Sequence, residues 1–165
     1  MKRPTAILYT SQTGFTARYA GMLARAAMIP AYDLRDRKEL PAPGAAVIYL
    51  GWLCAGTIKG LREARRRWDV RAVCAVGLSP AEPDPVPALA AGNRLGAIPL
   101  FYLRGGYAPD RLSGKYRLMM APMLHSAARS KQPEQQAMHA TFLQGGDFIS
   151  EEALGQVLTW MEFHT

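Results

Sequence analysis

Cysteine and histidine are scarce in this chain. Among 165 residues there are two cysteines, Cys54 and Cys74, and three histidines. The two thiols form no C-x-x-C pair, and no histidine stands near them at the spacing of a zinc site. We therefore expect reduced thiols, no structural metal, and no catalytic Cys/His or Ser/His/Asp group.

Long hydrophobic runs are also missing. No apolar stretch approaches the roughly 18 residues that a membrane-spanning helix needs. The basic start, residues 1–4, is followed by an apolar run too short for a signal peptide. We expect a cytoplasmic protein. The length fits one domain over residues 1–165, and with 49% of the residues hydrophobic this domain can form its own core.

Acidic residues are outnumbered by basic ones. Thirteen Asp and Glu stand against 20 Lys and Arg, which gives a net charge of +7. Such a charge favours an acidic docking surface on a partner protein, an anionic membrane face, or nucleic acid. The densest basic run, residues 65–67, has no interleaved aromatic residues of the kind that bind single strands. The pattern therefore disfavours nucleic acid.

The most informative stretch lies near the start of the chain. Residues 6–9 are apolar and predict a buried strand, and a polar turn follows at residues 10–14. The next apolar positions recur with the period of a helix: Ala20, Leu23, Ala24 and Ala27. The start of a helix has unpartnered N–H groups and partial positive charge, so this turn predicts a phosphate site. The residues expected to surround the phosphate are Ser11, Gln12, Thr13, Gly14, Phe15 and Thr16.

Apolar runs alternate with helical patterns along the rest of the chain. Strands are predicted at residues 5–10, 29–34, 45–50, 70–76 and 98–103. Helices are predicted at residues 14–28, 57–68 and 110–130, with Pro122 kinking or splitting the third near Leu118. A last helix is expected to begin after Ser150 as N-cap. Residues 131–146 show no clear period and predict a surface excursion. The alternation indicates an α/β fold with a doubly wound parallel sheet.

The stretch from Ile7 to Leu23 resembles the signature of the flavodoxin family. Two apolar residues, an aromatic, a free position and a hydroxyl residue are matched by Ile-Leu-Tyr-Thr-Ser at residues 7–11. A small residue and a threonine are matched by Gly14 and Thr16. Phe15 departs from the family, which often has Asn there, so only a backbone contact is expected at that position. The chain resembles flavodoxin-like proteins of the S-x-T-G-F-T type more than the classical small electron shuttles, whose acidic charge it also lacks.

The resemblance implies a three-layer α/β/α fold, with five parallel strands in the order 2-1-3-4-5, and FMN at the switch point between strands one and three. The loop after the third strand would then supply a flat wall for the flavin ring through Trp52. The loops after the fourth and fifth strands would approach the ring edge. The residues assigned to these three loops are Gly51, Trp52, Leu53, Cys54, Ala55, Gly77, Leu78, Ser79, Gly105, Gly106 and Tyr107.

Three functions remain open from the sequence. The first is an FMN-binding electron carrier between a reductase and an acceptor, which is not necessarily an enzyme. The second is an FMN-dependent, quinone-linked oxidoreductase, because the flavodoxin-type protoporphyrinogen oxidase of bacteria resembles this chain in length and charge. Its phosphate loop differs, however, and no substrate-binding insertion is evident in the sequence. The third is a non-redox binding module with an empty crevice.

A later stretch also matches similar flavodoxin-like proteins, in which an R-G-G-aromatic turn precedes a Y-R-L-M-M run. This chain has that run at residues 116–120. The apolar positions of the predicted helix around it are expected to share a buried face: Leu112, Tyr116, Met119, Met120, Met123 and Ala127. We interpret the methionines as core residues first, and as a partner surface second.

Overall fold

A computed structural model describes residues 2–164, which divide into two compact units. The sheet unit comprises the chain up to Gly105 together with the chain from Ile149 onward, and the insert unit comprises Gly106–Phe148. The strands are β1 Ala6–Thr10, β2 Ala31–Asp33, β3 Ala46–Cys54, β4 Thr57–Ile58, β5 Asp69–Gly77, β6 Leu100–Arg104, β7 Gly106–Tyr107 and β8 Gly146–Asp147. The α-helices are α1 Phe15–Ala27, α2 Leu61–Arg67, α3 Val86–Gly92, α4 Gly114–Arg129, α5 Pro133–Gln144 and α6 Gly155–Phe163.

The sheet unit is an α/β structure with a mostly parallel sheet. Its strands lie in the order β2-β1-β3-β5-β6, and every neighbouring pair along this path is parallel. The middle strand, β3, has six consecutive buried residues at its start. A strand covered on both faces must be apolar at successive positions, which is why its sequence shows a continuous apolar run rather than alternation.

Two hydrophobic clusters cover the two faces of this sheet. On one face Leu8, Tyr49 and Val73 pack with Leu61 and Ala64 of α2. On the other face a second cluster joins alternate strand residues to α1 and α6: Ile7, Ile48, Leu50, Cys74, Tyr19, Leu23, Val157 and Met161. Successive side chains of a strand point to opposite faces, so each strand contributes to both clusters. Helices therefore flank the sheet on both sides, as the alternating sequence pattern predicted.

The predicted strand count and order need correction. Five strands in the order 2-1-3-4-5 were expected, whereas six strands join the main sheet in the described residues, because β4 is an additional strand antiparallel to β3. A second sheet pairs β7 with β8. Two-residue strands carry no periodic pattern of their own, so neither β4 nor the β7–β8 pair was visible to a search for hydrophobic period.

The third strand also runs farther than predicted. It was expected to end at residue 50, but β3 continues to Cys54 and turns through Ala55 and Gly56 into β4. Both turn residues have positive φ, 49° for Ala55 and 78° for Gly56. Two such residues are what a tight two-residue hairpin needs. The helix expected over residues 57–68 accordingly begins only at Leu61.

The last helix likewise begins later than predicted. Ser150 was expected to cap it, but a short 3₁₀ turn at Glu152–Leu154 intervenes and α6 begins at Gly155. Ser150 donates its backbone N–H to the Tyr19 hydroxyl instead, at 3.2 Å. The capping pattern thus marked the onset of helical backbone but not the onset of the α-helix itself.

The insert unit consists of the β7–β8 pair, a 3₁₀ turn at Pro109–Arg111, and the helices α4 and α5, which pack against each other. Residues 131–146, expected as a surface excursion without a clear period, are mostly exposed but form the helix α5 over most of their length. Helix α4 continues through Pro122 without a break, so the predicted split near Leu118 is wrong.

The buried face predicted for α4 is only partly correct. Ala127 is buried and Tyr116 and Met120 are half-buried, but Met119 and Met123 are exposed. The exposure of Met119 and Met123 therefore favours the second interpretation of these methionines, a surface for a partner. Within residues 2–164, no helix is both long enough and apolar enough to cross a membrane.

Candidate functional site

The carboxyl ends of the parallel strands converge at one edge of the sheet unit. Thr10 of β1 pairs with Gly51 of β3, Trp52 of β3 pairs with Val76 of β5, and Gly77 pairs with Arg104. The chain leaves β1 toward β2 on one side and later returns to β3 on the other. Such a reversal opens a crevice outside the strand ends, where α/β proteins bind ligands.

The loop between β1 and α1 stands at this reversal. Gly14 precedes the helix with a φ of 102°, a left-handed conformation that favours glycine. Its N–H donates to Ser11 Oγ at 3.1 Å, and the first helical bond runs from Arg18 N–H to the Gly14 carbonyl. The Ser11 side chain thus closes the turn and already occupies the Gly14 N–H group. The three following N–H groups, at residues 15–17, precede the first helical bond and remain at the helix mouth.

Thr16 adds a hydroxyl to this helix start. The residue is only 2% exposed. Its hydroxyl has no hydrogen bond to another group in residues 2–164, and no fully buried polar side-chain atom in that range lacks a partner. The Thr16 hydroxyl therefore keeps some access to solvent. A small opening with a hydroxyl and helical N–H groups is suited to an anion.

A buried hydroxyl network supports the base of the same loop. Tyr49 is fully buried, donates to the Lys59 carbonyl at 2.6 Å, and forms a second hydrogen bond with Thr10 Oγ1 at 2.8 Å. Desolvation by burial raises the pKa of the Tyr49 hydroxyl. The network connects the last residue of β1 to the segment after β4. No sequence pattern predicts this network, because Thr10 and Tyr49 come from different strands and Lys59 from the segment between β4 and α2.

Trp52 stands beside the crevice with a cation above it. Its ring is partly exposed, and Lys59 Nζ lies 5.9 Å from the ring centroid. The Lys59 N–H also donates to the Trp52 carbonyl at 3.0 Å. Trp52 is a strand residue rather than the loop residue that was predicted. Because Ile48, Leu50 and Trp52 are every second residue of β3, the Trp52 side chain lies on the same face of the sheet as Ile48 and Leu50, the face that α1 covers.

The neighbours of Trp52 have structural explanations. A Cβ on Gly51 would lie 2.6 Å from Ile58 Cγ2 and 2.7 Å from the Lys59 carbonyl, so the residue is glycine because β4 approaches closely. Leu53 pairs with Ile58 in the hairpin, and Cys54 pairs with Thr57. These contacts and the turn at Ala55 explain the segment without a ligand, and the cofactor role assigned to it stays a prediction.

The loop after β5 is held by side chains of β6. Tyr102 donates its hydroxyl to the Ser79 carbonyl at 2.6 Å, and Arg104 Nε donates to the Leu78 carbonyl at 3.0 Å. Burial raises the pKa of Tyr102 to about 12, so this donor stays protonated at neutral pH. With both carbonyls fixed, the loop has one defined orientation. The N–H groups of Leu78 and Ser79 donate to no acceptor among residues 2–164.

Two glycines let this edge pack tightly. A Cβ on Gly77, the last residue of β5 rather than a loop residue, would lie 2.6 Å from the Tyr102 hydroxyl oxygen. A Cβ on Gly105 would lie 2.7 Å from Val76 Cγ1 and 3.4 Å from Phe15 Cβ. The structure therefore brings Gly105 close to Phe15 at the start of α1, which joins the first and last predicted loops at one place.

Tyr19 is a supporting residue that sequence reasoning missed. It is fully buried, and its hydroxyl donates to the Arg104 carbonyl at 2.6 Å while accepting from Ser150. Helix α1 is thereby fixed to the end of β6. Its position four residues before Leu23 would have placed it on the buried stripe, but the hydroxyl partners are distant in sequence.

Gly106 and Tyr107 belong to a different unit. They form β7 of the insert unit rather than a loop, and the Tyr107 ring contacts the Phe142 ring edge-on at 5.4 Å. Their predicted approach to a flavin stays a prediction.

The remaining chemical groups offer little reactivity. Cys74 is fully buried, and desolvation raises the pKa of its thiol, so it is a core residue. In the part of the chain that the structure describes, no three His, Cys, Asp or Glu side chains are placed to hold a metal ion. The site therefore consists of hydroxyls, backbone N–H groups, an aromatic ring and positive charge.

No model of a protein family matches the chain. No curated protein matches it either.

Proposed function

We propose that this chain is a flavodoxin-like protein that binds FMN and carries electrons between a reductase and an acceptor protein. The observation that carries the proposal is the open start of α1, with the Thr16 hydroxyl, at the point where the sheet order reverses between β1 and β3. When bound, FMN supplies the one- and two-electron chemistry, and the protein supplies binding and electrostatics.

The helix start fits a phosphate. The N–H groups of residues 15–17 point out of the first turn, and the helix dipole adds partial positive charge. Phe15 contributes its backbone here, which makes its apolar side chain compatible with the role. Ser11 already accepts the Gly14 N–H, so Ser11 shapes the turn, and Thr16 is the hydroxyl best placed to donate to an anion.

The crevice also fits a planar ring. Trp52 offers a flat, partly exposed aromatic surface, and Lys59 places a positive charge over it. Leu78 and Ser79 present N–H donors from a loop whose carbonyls are tied to β6. A flat apolar wall with a few fixed donors is the usual make-up of a cofactor site. The surplus of basic residues favours a redox partner with an acidic docking surface.

A flavin titration of the purified chain tests the proposal. The pure protein is mixed with FMN or riboflavin, and binding is followed by flavin fluorescence and by the visible spectrum. We expect FMN to bind, and we expect Thr16→Val to weaken FMN binding by about tenfold, because a charge-assisted hydrogen bond is lost. Riboflavin, which lacks the phosphate, should bind the variant as it binds the unchanged protein.

Thr159→Val is the matched control. Thr159 is an exposed residue of α6, so the same atoms are removed away from the crevice. A protein that retains no flavin after the excess FMN is removed would contradict the proposal. The non-redox binding module would then be the remaining function. Equal weakening of FMN and riboflavin by Thr16→Val would show that the phosphate does not sit at the start of α1.

A quinone-linked oxidoreductase is the second candidate, and one observation favours it. The sequence showed no insertion, but Gly106–Phe148 forms a compact unit of its own between β6 and α6. An inserted unit is what the flavodoxin-type protoporphyrinogen oxidase would need for its substrate. Oxidation of protoporphyrinogen by the FMN-loaded protein with a quinone acceptor would distinguish this enzyme from an electron carrier, which should show no turnover.

A further inference from the structure

Helix α4 of the insert unit exposes large apolar side chains along one side. Leu118 is 77% exposed, Met119 is 49% exposed and Met123 is 55% exposed. Met119 and Met123 are four residues apart and follow one row of the helix, while Leu118 and Pro122 follow the adjacent row. We call these four residues the α4 apolar face. Single exposed apolar residues are ordinary, but a contiguous group marks an interaction surface.

The charges of the same helix all have one sign. Helix α4 contains Lys115, Arg117 and Arg129 and no acidic residue. Lys115 lies one turn before Met119 on its row, and Arg129 lies two turns beyond Pro122. Arg117 instead donates to the Pro109 carbonyl at 2.9 Å. The α4 apolar face is therefore bounded at its two ends by basic side chains.

We propose that the α4 apolar face docks on an anionic phospholipid surface, with α4 lying in the plane of the interface. Leucine and methionine side chains insert among acyl chains without needing specific partners, and Lys115 and Arg129 reach the phosphate groups. The charge complementarity extends beyond α4, because the whole chain carries a net charge of +7. Binding of this kind needs no spanning helix.

The lipid surface is a better occupant than a second copy of the chain. A second copy would bring α4 against another basic helix or against a chain that is basic overall, and like charges would then oppose contact. An anionic membrane face satisfies both the apolar side chains and the cations. The proposal goes beyond the flavin function and stands whether or not FMN binds.

Vesicle co-sedimentation of the full chain tests the proposal. Vesicles of phosphatidylcholine with phosphatidylglycerol are compared with vesicles of phosphatidylcholine alone. We expect binding to the anionic vesicles, weaker binding to the neutral ones, and loss of part of the affinity at high salt. The variant Leu118→Gln/Met119→Gln/Met123→Gln should lose at least about tenfold in affinity, because three apolar side chains no longer leave water.

Two further variants keep the test specific. Met28→Gln/Phe163→Ser removes two exposed apolar side chains of the sheet unit, which are 89% and 79% exposed, and should bind as the unchanged chain does. Lys115→Gln/Arg129→Gln should weaken the preference for anionic vesicles. Circular dichroism checks that each variant keeps its helix content.

Some outcomes would overturn the proposal. Absence of binding to anionic vesicles would do so, as would equal binding by the triple variant. If the unchanged chain stays off vesicles but forms dimers that the triple variant does not form, the α4 apolar face is an interface between copies instead.

Discussion

The sheet unit and the insert unit bury their side chains very differently. In the sheet unit two clusters of buried residues cover both faces of a sheet. In the insert unit the buried hydrophobic residues are Ala127 and Phe142, while Leu118, Met119, Met123 and Leu143 are exposed. The free energy of burial scales with the apolar area removed from water, so the sheet unit holds most of the folding stability.

This difference in burial separates a rigid scaffold, the sheet unit, from an exposed binding surface, the insert unit. A doubly covered sheet holds strand ends in fixed positions, and such a scaffold can position a phosphate loop and an aromatic wall. Substitutions on the exposed surface of two helices with few buried residues change the free energy of unfolding little. We therefore expect core substitutions in the sheet unit to change folding stability, and surface substitutions on α4 to change lipid binding with little effect on stability.

A matched pair of leucines gives the largest expected contrast. Leu23 is fully buried in the sheet unit and Leu118 is 77% exposed in the insert unit. Leu23→Ala should lower the free energy of unfolding by about 3 kcal/mol, because it leaves a cavity. Leu118→Ala should change it by less than about 0.5 kcal/mol. Urea unfolding measures both when it is followed by far-ultraviolet circular dichroism, which reports the helices of both units, and by tryptophan fluorescence, which reports the sheet unit through tryptophans 52, 68 and 160.

Similar losses for the two leucine variants would contradict the comparison. That result would mean that the exposed leucine is covered by something that contributes to folding.

A pair of glycines tests how tightly the sheet unit is packed beside the crevice. Gly60 and Gly56 have nearly the same φ, 79° and 78°, but a Cβ on Gly60 would collide with the hydroxyl oxygens of Tyr49 and Thr10, whereas one on Gly56 would meet nothing. Gly56→Ala should cost about 1 kcal/mol for backbone conformation alone. Gly60→Ala should cost about 2 kcal/mol more, because the hydroxyl network must move.

Denaturant unfolding gives both glycine values, and the difference between them isolates the collision from the backbone cost. Equal losses would show that the Tyr49 network yields without cost, and that the crevice is looser than its hydrogen bonds imply.

The smallest expected effect concerns Tyr102 and pH. Tyr102→Phe removes the hydrogen bond to the Ser79 carbonyl and should cost about 1 kcal/mol at neutral pH. The pKa of Tyr102 is raised from 10.0 to about 12 by burial, so the folded state favours the protonated hydroxyl. Its contribution is fully present below pH 10 and is lost as the pH rises toward 12.

The measurement for Tyr102 is the difference in unfolding free energy between the unchanged protein and Tyr102→Phe at several pH values. The difference should shrink above pH 10, and the effects of the other tyrosines should cancel. The counterpart in the insert unit is Tyr107→Phe, which should leave tryptophan-detected unfolding unchanged. A pH-independent Tyr102 difference would contradict the argument.

Local sequence pattern was a good guide where one element determines the structure. The apolar run of β1, the hydroxyl turn and the stripe through Leu23 lie within one continuous stretch, and the structure has that strand, turn and helix with boundaries shifted by one residue. Pattern was a poor guide at the β3–β4 hairpin. Gly51 was interpreted as a ligand contact, but its missing Cβ makes room for Ile58 and for the Lys59 carbonyl.

The sequence by itself determined the alternation of strands and helices, the buried character of the central strands, and the turn before α1, because these depend on residues close together in the chain. Only the tertiary structure decided that Thr10, Tyr49 and Lys59 share a hydrogen-bond network, that Tyr102 and Arg104 fix the loop after β5, and that α4 turns Met119 and Met123 outward. Each of these depends on which distant segment packs beside the residue, and no local period records that.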